Sequence, residues 1–274
     1  MVMKEPNVDL IISAYNNASS VKQIISLIQG GTAHPSSIHI TDDGSNSQNR
    51  KIIENHLNRI DIPSFYHWHN DRGFRKSKIL NQGILNCKSE CIVFLDGDCL
   101  PHRHFISDHL KLAEEGYFIQ GRRCFVRESE VSNLLNKQTT LRRLILSGKV
   151  SGLLKSIRLP RPIVRKNNQM HGLLGCNLGV WRKDLISING FDEDYVGWGR
   201  EDSDLGARLY NIGLLRKIVH GRALVYHLNH PENDRSELSQ NDQRLKDTIL
   251  NKKIRCDNGL LKERPDLSSG TEYS

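Results

Sequence analysis

The feature that most constrains this chain is a repeated alternation of short apolar runs and helix-patterned stretches through its N-terminal part. Val8-Asp9-Leu10-Ile11-Ile12-Ser13 reads as a buried strand closing on a polar residue. Asn16, Asn17 and Ser19-Ser20 then supply helix-cap chemistry, and Val21, Ile24, Ile25 and Ile28 follow at helical spacing until Gly30-Gly31. Ser37 to Thr41 is a second strand, Gln48 to Leu57 a helix, and Phe65 to Trp68 a third strand. Ser77 to Asn86 is helical, and Cys91 to Leu95 is the strongest strand of all. Parallel neighbours need such crossover helices, so the pattern predicts an α/β fold with a mostly parallel central sheet and helices on both faces. Ligands bind such sheets beyond the carboxyl ends of the strands. The polar residues at those ends are Ser13 and Tyr15, Asp42 and Asp43, and Asp96 and Asp98.

At 274 residues the chain can bury a substantial core. Its six cysteines are scattered without paired C-x-x-C spacing, which argues against a zinc site or disulfide scaffold and for free thiols in a reducing compartment. The N-terminus carries charge and proline where a signal peptide needs an apolar stretch, and no apolar run reaches the ~18 residues of a membrane span. The expected address is cytoplasmic. A net charge of +8 favours polyanionic partners. The cations concentrate between Arg122 and Asn168, which divides the chain into a nucleotide-binding half (1–121), a basic variable insert (122–170), an acceptor-side half of the same domain (171–230) and a polar tail (231–274) whose last dozen residues read as frayed.

Phe94-Leu95-Asp96-Gly97-Asp98 puts two carboxylates directly after a buried strand. Residues two apart in an extended segment face the same way, so both can meet one Mg²⁺ or Mn²⁺ ion, which take oxygen ligands and share them with phosphates. The intervening glycine would let a diphosphate approach the backbone. The same residues would also serve as an acidic turn. Farther on, Trp198 stands between Gly197 and Gly199, as a loop offering an aromatic face to a sugar ring would have it. Glu201 and Asp202 follow at the start of a helix, where acids are in any case favoured by the dipole. His227 and His230, after the short strand Ala223 to Tyr226, offer imidazoles for a metal site.

Three segments, V-D-L-I-I-S-A-Y-N, I-T-D-D-G-S and F-L-D-G-D, resemble the GT-A nucleotide-sugar glycosyltransferases, the large second family of bacterial polysaccharide enzymes. The stretch G-F-D-E-D-Y-V-G-W-G-R-E-D-S-D-L is similar to a C-terminal signature of animal galactosyltransferases and chondroitin-polymerising enzymes. The resemblance implies a Rossmann-like GT-A fold and an inverting, metal-dependent transfer of a hexose from a UDP-sugar to a glycan or glycolipid hydroxyl, in lipopolysaccharide or capsule assembly. It implies that Ser13, Tyr15, Asp43 and Arg75 bind the donor, with Asp43 on the uracil, and that Asp96 and Asp98 form the D-x-D pair on Mn²⁺ or Mg²⁺. Either His227 or His230 would complete the metal site. Asp202 would be the base, Glu201 would position the acceptor, and Trp198 would pack against it. The animal enzymes carry glycine where this chain has Arg200, a departure that bears on the acceptor pocket.

The basic insert has two readings. Its cations, interleaved with Leu141, Leu144, Leu153 and Leu154, would dock an anionic membrane surface, or they would form an acceptor lid for a phosphorylated glycan. A sugar nucleotidyltransferase, or a non-catalytic protein binding sugar or polyanion, is the alternative function. The former would carry a glycine- and arginine-rich loop where Ser13-Ala14-Tyr15-Asn16-Asn17 stands. No zinc-finger, helix-turn-helix or RNA-binding signature points to nucleic acid.

Overall fold

The computed structural model describes residues 5–152, 155–230 and 234–262. Leu153 and Leu154, the first residues of the polar tail (231–233) and the stretch read as frayed (263–274) lie outside the described residues. The expected alternation is present: β1 (Val8–Ala14), α1 (Ala18–Gln29), β2 (Ser37–Asp42), α2 (Ser47–Leu57), β3 (Ser64–Trp68), α3 (Lys76–Asn86) and β4 (Cys91–Asp96). There follow β5 (Cys99–Pro101), α4 (Phe105–Leu112), β6 (Tyr117–Gln120), β7 (Arg122–Val126), α5 (Glu128–Leu135), α6 (Leu141–Leu146) and β8 (Ile163–Asn167). The chain closes with β9 (Asn177–Trp181), α7 (Arg182–Ser187), α8 (Glu201–Asn211), β10 (Leu215–His220), β11 (Leu224–Leu228) and α9 (Leu238–Leu250).

The main sheet runs in the order β3-β2-β1-β4-β9-β6-β10-β8. Pairings among β1 to β4 are all parallel, as is that of β6 with β10. β9 runs antiparallel to both β4 and β6, and β8 antiparallel to β10, so the sheet as a whole is mixed. The reason is where β9 starts. The chain re-enters beside the carboxyl end of β4, where the Asp96 amide donates to the Cys176 carbonyl, and can only run back down.

Alternation along β1 splits the core. Leu10 and Ile12 join Ile24, Ile25 and Ile53 on one face, while Ile11 packs with Ile84, Phe94, Leu205 and Leu209 on the other. Each such buried side chain contributes roughly 1.5–3 kcal/mol of transfer free energy. A second, three-stranded sheet, β5-β11-β7, has β11 antiparallel to β5 and parallel to β7.

The basic segment is woven into both sheets, giving β7 to the small one and β8 to an edge of the large one. Two of the apolar side chains on which the membrane reading drew, Leu141 and Leu144, do not face outward, while Leu153 and Leu154 lie outside the described residues. Leu144 is buried and Leu141 and Ile145 pack against the core, because α6 turns that side inward and leaves Arg142, Arg143 and Leu146 outside. Arg158 is spent on the buried Asp108 carboxylate, which also receives Arg222 and the Ala223 amide. All six cysteines are free and buried. Among the described residues no helix is long and apolar enough to cross a membrane.

Candidate active site

A cleft of about 1250 Å³ opens at the carboxyl ends of β1 and β4 and is closed from the far side by α8 and the small sheet. Ser13, Tyr15, Asp43, Asp96, Asp98, Trp198, Glu201, Asp202, His227 and His230 all line it. Among the residues expected to bind the donor, only Arg75 is not part of that lining.

On the β1 side, Asp43 accepts from the Arg75 amide at 2.8 Å and lies 2.7 Å from His69 Nε2. The Tyr15 hydroxyl donates to Asp71. Arg75 therefore serves Asp43 through its backbone, and its side chain turns away to the Arg72 carbonyl. The cation that reaches the cleft is its neighbour Lys76, the first residue of α3, with Nζ 2.6 Å from Asp96 Oδ1. Ser13 Oγ donates to the same oxygen. Burial would lower the Lys76 pKa, but Asp96 and Glu201 outweigh it and hold the ammonium charged. One step along a helix start turns a side chain by about 100°, so the resemblance, which implied Arg75, missed this cation by one residue.

Asp98 has different partners from Asp96. Its Oδ2 lies 3.4 Å from His227 Nε2 and 3.1 Å from His230 Nε2, and Cys99 Sγ donates to its Oδ1. The ligand atoms of Asp98, His227 and His230 all lie within 4.8 Å of one another, and Asp96 is not in the group. Strand register accounts for this: β11 pairs His227 with Cys99 of β5, the residue after Asp98, and the Leu228 amide donates to the Asp98 carbonyl. Both histidines that the sequence left as alternatives reach the carboxylate. Burial alone would raise the Asp98 pKa, but the imidazole hydrogen bonds overcome it and hold the carboxyl far below its usual range. Gly97 has another reason than diphosphate access. A Cβ there would meet the Ser13 carbonyl oxygen at 2.2 Å and Asn17 Nδ2 at 2.6 Å, so the close pass of the protein's own backbone demands glycine.

Across the cleft, Arg200 adopts φ 77° immediately before α8. This left-handed conformation favours glycine, the residue the animal enzymes carry there. Asp202, in the first turn of the helix, accepts from the Gly175 amide at 2.7 Å and, on its other oxygen, from the Ser203 amide at 2.7 Å. Gly175 is tightly placed, since a Cβ would lie 2.8 Å from Asp202 Cβ. Gly175→Ala is expected to displace the Asp202 carboxylate and to destabilise the fold by about 1–3 kcal/mol. Denaturant melts and a crystal structure of the variant check this, and an unmoved Asp202 would contradict it.

Glu201 is buried and its Oε2 has no hydrogen-bond partner among the described residues. Burial first and the Asp202 charge second push its pKa up to about 7, against the opposing pull of Lys76. A carboxyl raised above its ordinary 4.5 is bound more tightly by its proton in the folded state, so its contribution to stability falls as pH rises from 4.5 to about 7 and stays lost above. Glu201→Gln cannot ionise and is expected to gain up to about 3 kcal/mol over wild type near pH 8, and little near pH 4. Denaturant melts at the two pH values test this; an equal difference at both would contradict it.

Trp198 is half-buried, and the Arg235 guanidinium lies 5.1 Å from its ring centroid, so one aromatic face already carries a cation. Nothing in the sequence pointed to this pairing, nor to His69, Gly175, Arg123 or Phe125 in the site, because none of them stands in a segment that carried the resemblance.

The fold and the cleft at its switch point define a GT-A nucleotide-sugar transferase architecture. The chain belongs to glycosyl transferase family 2, whose model matches residues 9–187. The model described as the N-terminal domain of galactosyltransferase matches residues 162–231. A hyaluronan synthase from Pasteurella multocida is 24% identical over 240 residues, covering 81% of this chain and 24% of that protein. The chain spans about a quarter to a third of the length of such curated relatives. The crystal structure of S. aureus TarS 1-349 matches with TM-score 0.63 at 14% identity, over 89% of this chain and 66% of that one. A mannosyltransferase from Pyrobaculum calidifontis, in complex with GDP-Man and Mn²⁺, matches with TM-score 0.57 at 16% identity, over 92% and 65%.

Proposed function

We propose that the chain transfers a hexose from a UDP-sugar to a hydroxyl of a glycan or glycolipid acceptor, with inversion at the anomeric carbon, in lipopolysaccharide or capsule assembly on the cytoplasmic side. The observation that carries this reading is the convergence of Asp98, His227 and His230 on one side of a single cleft and Asp202 and Glu201 on the other. A hyaluronan synthase and a chondroitin synthase among the relatives, and a TarS structure in complex with UDP-GlcNAc, support the donor and acceptor classes.

One carboxylate and two imidazoles, with room for phosphate oxygens, suit Mn²⁺ or a similar divalent ion. Asp98, His227 and His230 would hold it, and when bound it offsets the negative charge of the departing diphosphate. Asp43 would accept from the uracil, with Ser13 and Tyr15 along the nucleotide. Lys76 keeps Asp96 neutralised beside the donor, so this wall does not repel the diphosphate. Asp202 would take the proton of the acceptor hydroxyl as that oxygen attacks the anomeric carbon from the face opposite the diphosphate. Glu201, whose carboxyl keeps its proton up to about pH 7, can below that donate a hydrogen bond to the acceptor. A single displacement needs no covalent sugar intermediate.

Contact with an anionic inner-membrane face belongs to the same reading. With Leu141, Leu144 and Ile145 turned inward, that contact would rest on Arg142 and Arg143, with the exposed Leu146 beside them.

Thermal stabilisation by UDP with Mn²⁺, followed by release of UDP from a panel of UDP-sugars with and without oligosaccharide acceptors, tests the proposal. No response to UDP, or a response to GDP alone, would overturn the donor assignment.

A further inference from the structure

The cations lining the cleft are not equivalent. Lys76 pairs with Asp96, Arg200 Nε lies 2.5 Å from Asp242 Oδ1, and Arg235 stacks on Trp198. Arg123 has no such acceptor. Its guanidinium lies 4.8 Å from the Phe125 ring centroid and its Nη1 is 3.9 Å from Cys176 Sγ, while no carboxylate or carbonyl among the described residues accepts from it. A half-buried guanidinium has five N–H donors in a rigid fork suited to a bidentate anion, and with only the thiol contact here most of that fork is open to the cleft.

Its location says what would answer them. The Phe125 ring meets His227 edge-on, with centroids 5.4 Å apart, so Arg123, Phe125 and His227 form a continuous stack leading to Asp98. On its other flank, Cys176 directly follows Gly175, whose amide holds Asp202. The guanidinium therefore borders both the rings that lead to Asp98 and the segment whose amide holds Asp202. The groups proposed for the nucleotide come from elsewhere: Ser13 from β1 of the main sheet and Lys76 from α3, whereas Arg123 and Phe125 come from β7 of the small sheet. Phe125, 40% exposed, forms an outer rim over which an acceptor could pass.

We propose that Arg123, held against Phe125, is a specificity determinant that receives a carboxylate or phosphate carried by the acceptor close to its attacking hydroxyl. The inference rests on the glycosyl-transfer reading for the identity of the ligand, and on a guanidinium that pairs with no carboxylate among the described residues for its charge. It narrows the basic segment's lid reading to one residue and one interaction. An acceptor bearing an anion there is favoured over its neutral counterpart, because a charge-assisted fork is much stronger than a neutral contact at the same place.

Isothermal titration tests it with four probes in the presence of UDP and Mn²⁺: a glucuronate-containing tetrasaccharide, a phosphorylated tetrasaccharide, and the uncharged counterpart of each. Wild type is expected to bind at least one charged probe about tenfold or more tightly than its counterpart, and the probe that wins identifies carboxylate or phosphate. Arg123→Gln is expected to erase that preference while affinity for UDP, titrated separately, changes by less than about twofold. Arg123→Lys keeps the charge and is expected to recover part of the preference, which a folding defect would not allow. Equal binding of charged and neutral probes by wild type, or no binding of either charged probe, overturns the proposal. So does a loss in Arg123→Gln that falls on UDP, since the guanidinium would then serve the donor diphosphate. A wild type that ignores UDP yet keeps an Arg123-dependent preference for the charged probe would instead overturn the transfer reading and leave the anion site standing.

Discussion

Asp202→Asn is expected to lower sugar transfer by about three orders of magnitude while UDP affinity changes by less than about threefold. The substitution keeps the size of the side chain and leaves an amide oxygen to accept from the Gly175 or Ser203 amide, so α8 should keep its first turn. What it removes is the ability to take a proton, and it turns an NH₂ group toward one of two backbone donors. The loss should therefore appear in kcat, measured as acceptor-dependent UDP release, and not in donor binding. Full turnover in this variant would move the base to another group, with Glu201 the nearest carboxyl to consider.

The second large effect concerns Asp98. Asp98→Ala is expected to abolish the enhancement of UDP binding by Mn²⁺ and to lower turnover by about 10²-fold or more. The carboxylate is the only anionic member of the group with His227 and His230, and removing it leaves two imidazoles with ring centroids 5.3 Å apart and no negative charge between them. Titration of UDP with and without Mn²⁺ reads the result directly, and chelator treatment of wild type should produce the same loss. A variant whose UDP affinity still rises with Mn²⁺ would place the ion elsewhere. Asp96→Asn gives the contrast, because Asp96 is bound to Lys76 and Ser13 rather than to the histidines.

Much of the framework was legible in the sequence because burial is periodic. Leu10, Ile11 and Ile12 are apolar without alternation because β1 lies between two sheet neighbours and is covered on both faces, and Val21, Ile24, Ile25 and Ile28 mark the one side of α1 that meets it. The acids of the site were legible for a related reason: Asp96 and Asp98 follow the end of a recognisable strand, and Glu201 and Asp202 open a recognisable helix. The same periodicity misled where a helix was short. Leu141 and Leu144 among arginines suggested an outward amphipathic face, yet the six-residue α6 uses them to cover the core.

By itself, then, the sequence determined the buried faces of the longer elements, where strands end and which chemical groups stand at those ends, since these follow from local spacing and side-chain type. Only the tertiary structure decided who meets whom. The register of β11 against β5 brought both histidines to Asp98, and the approach of the Gly175 amide oriented Asp202. The first turn of α3 sent Lys76 rather than Arg75 into the cleft, and Arg235 was set over Trp198 while Arg123 was left without an acid. Pairings of this kind depend on distances between segments far apart along the chain, and those distances are fixed by packing, to which no local pattern of residues is sensitive.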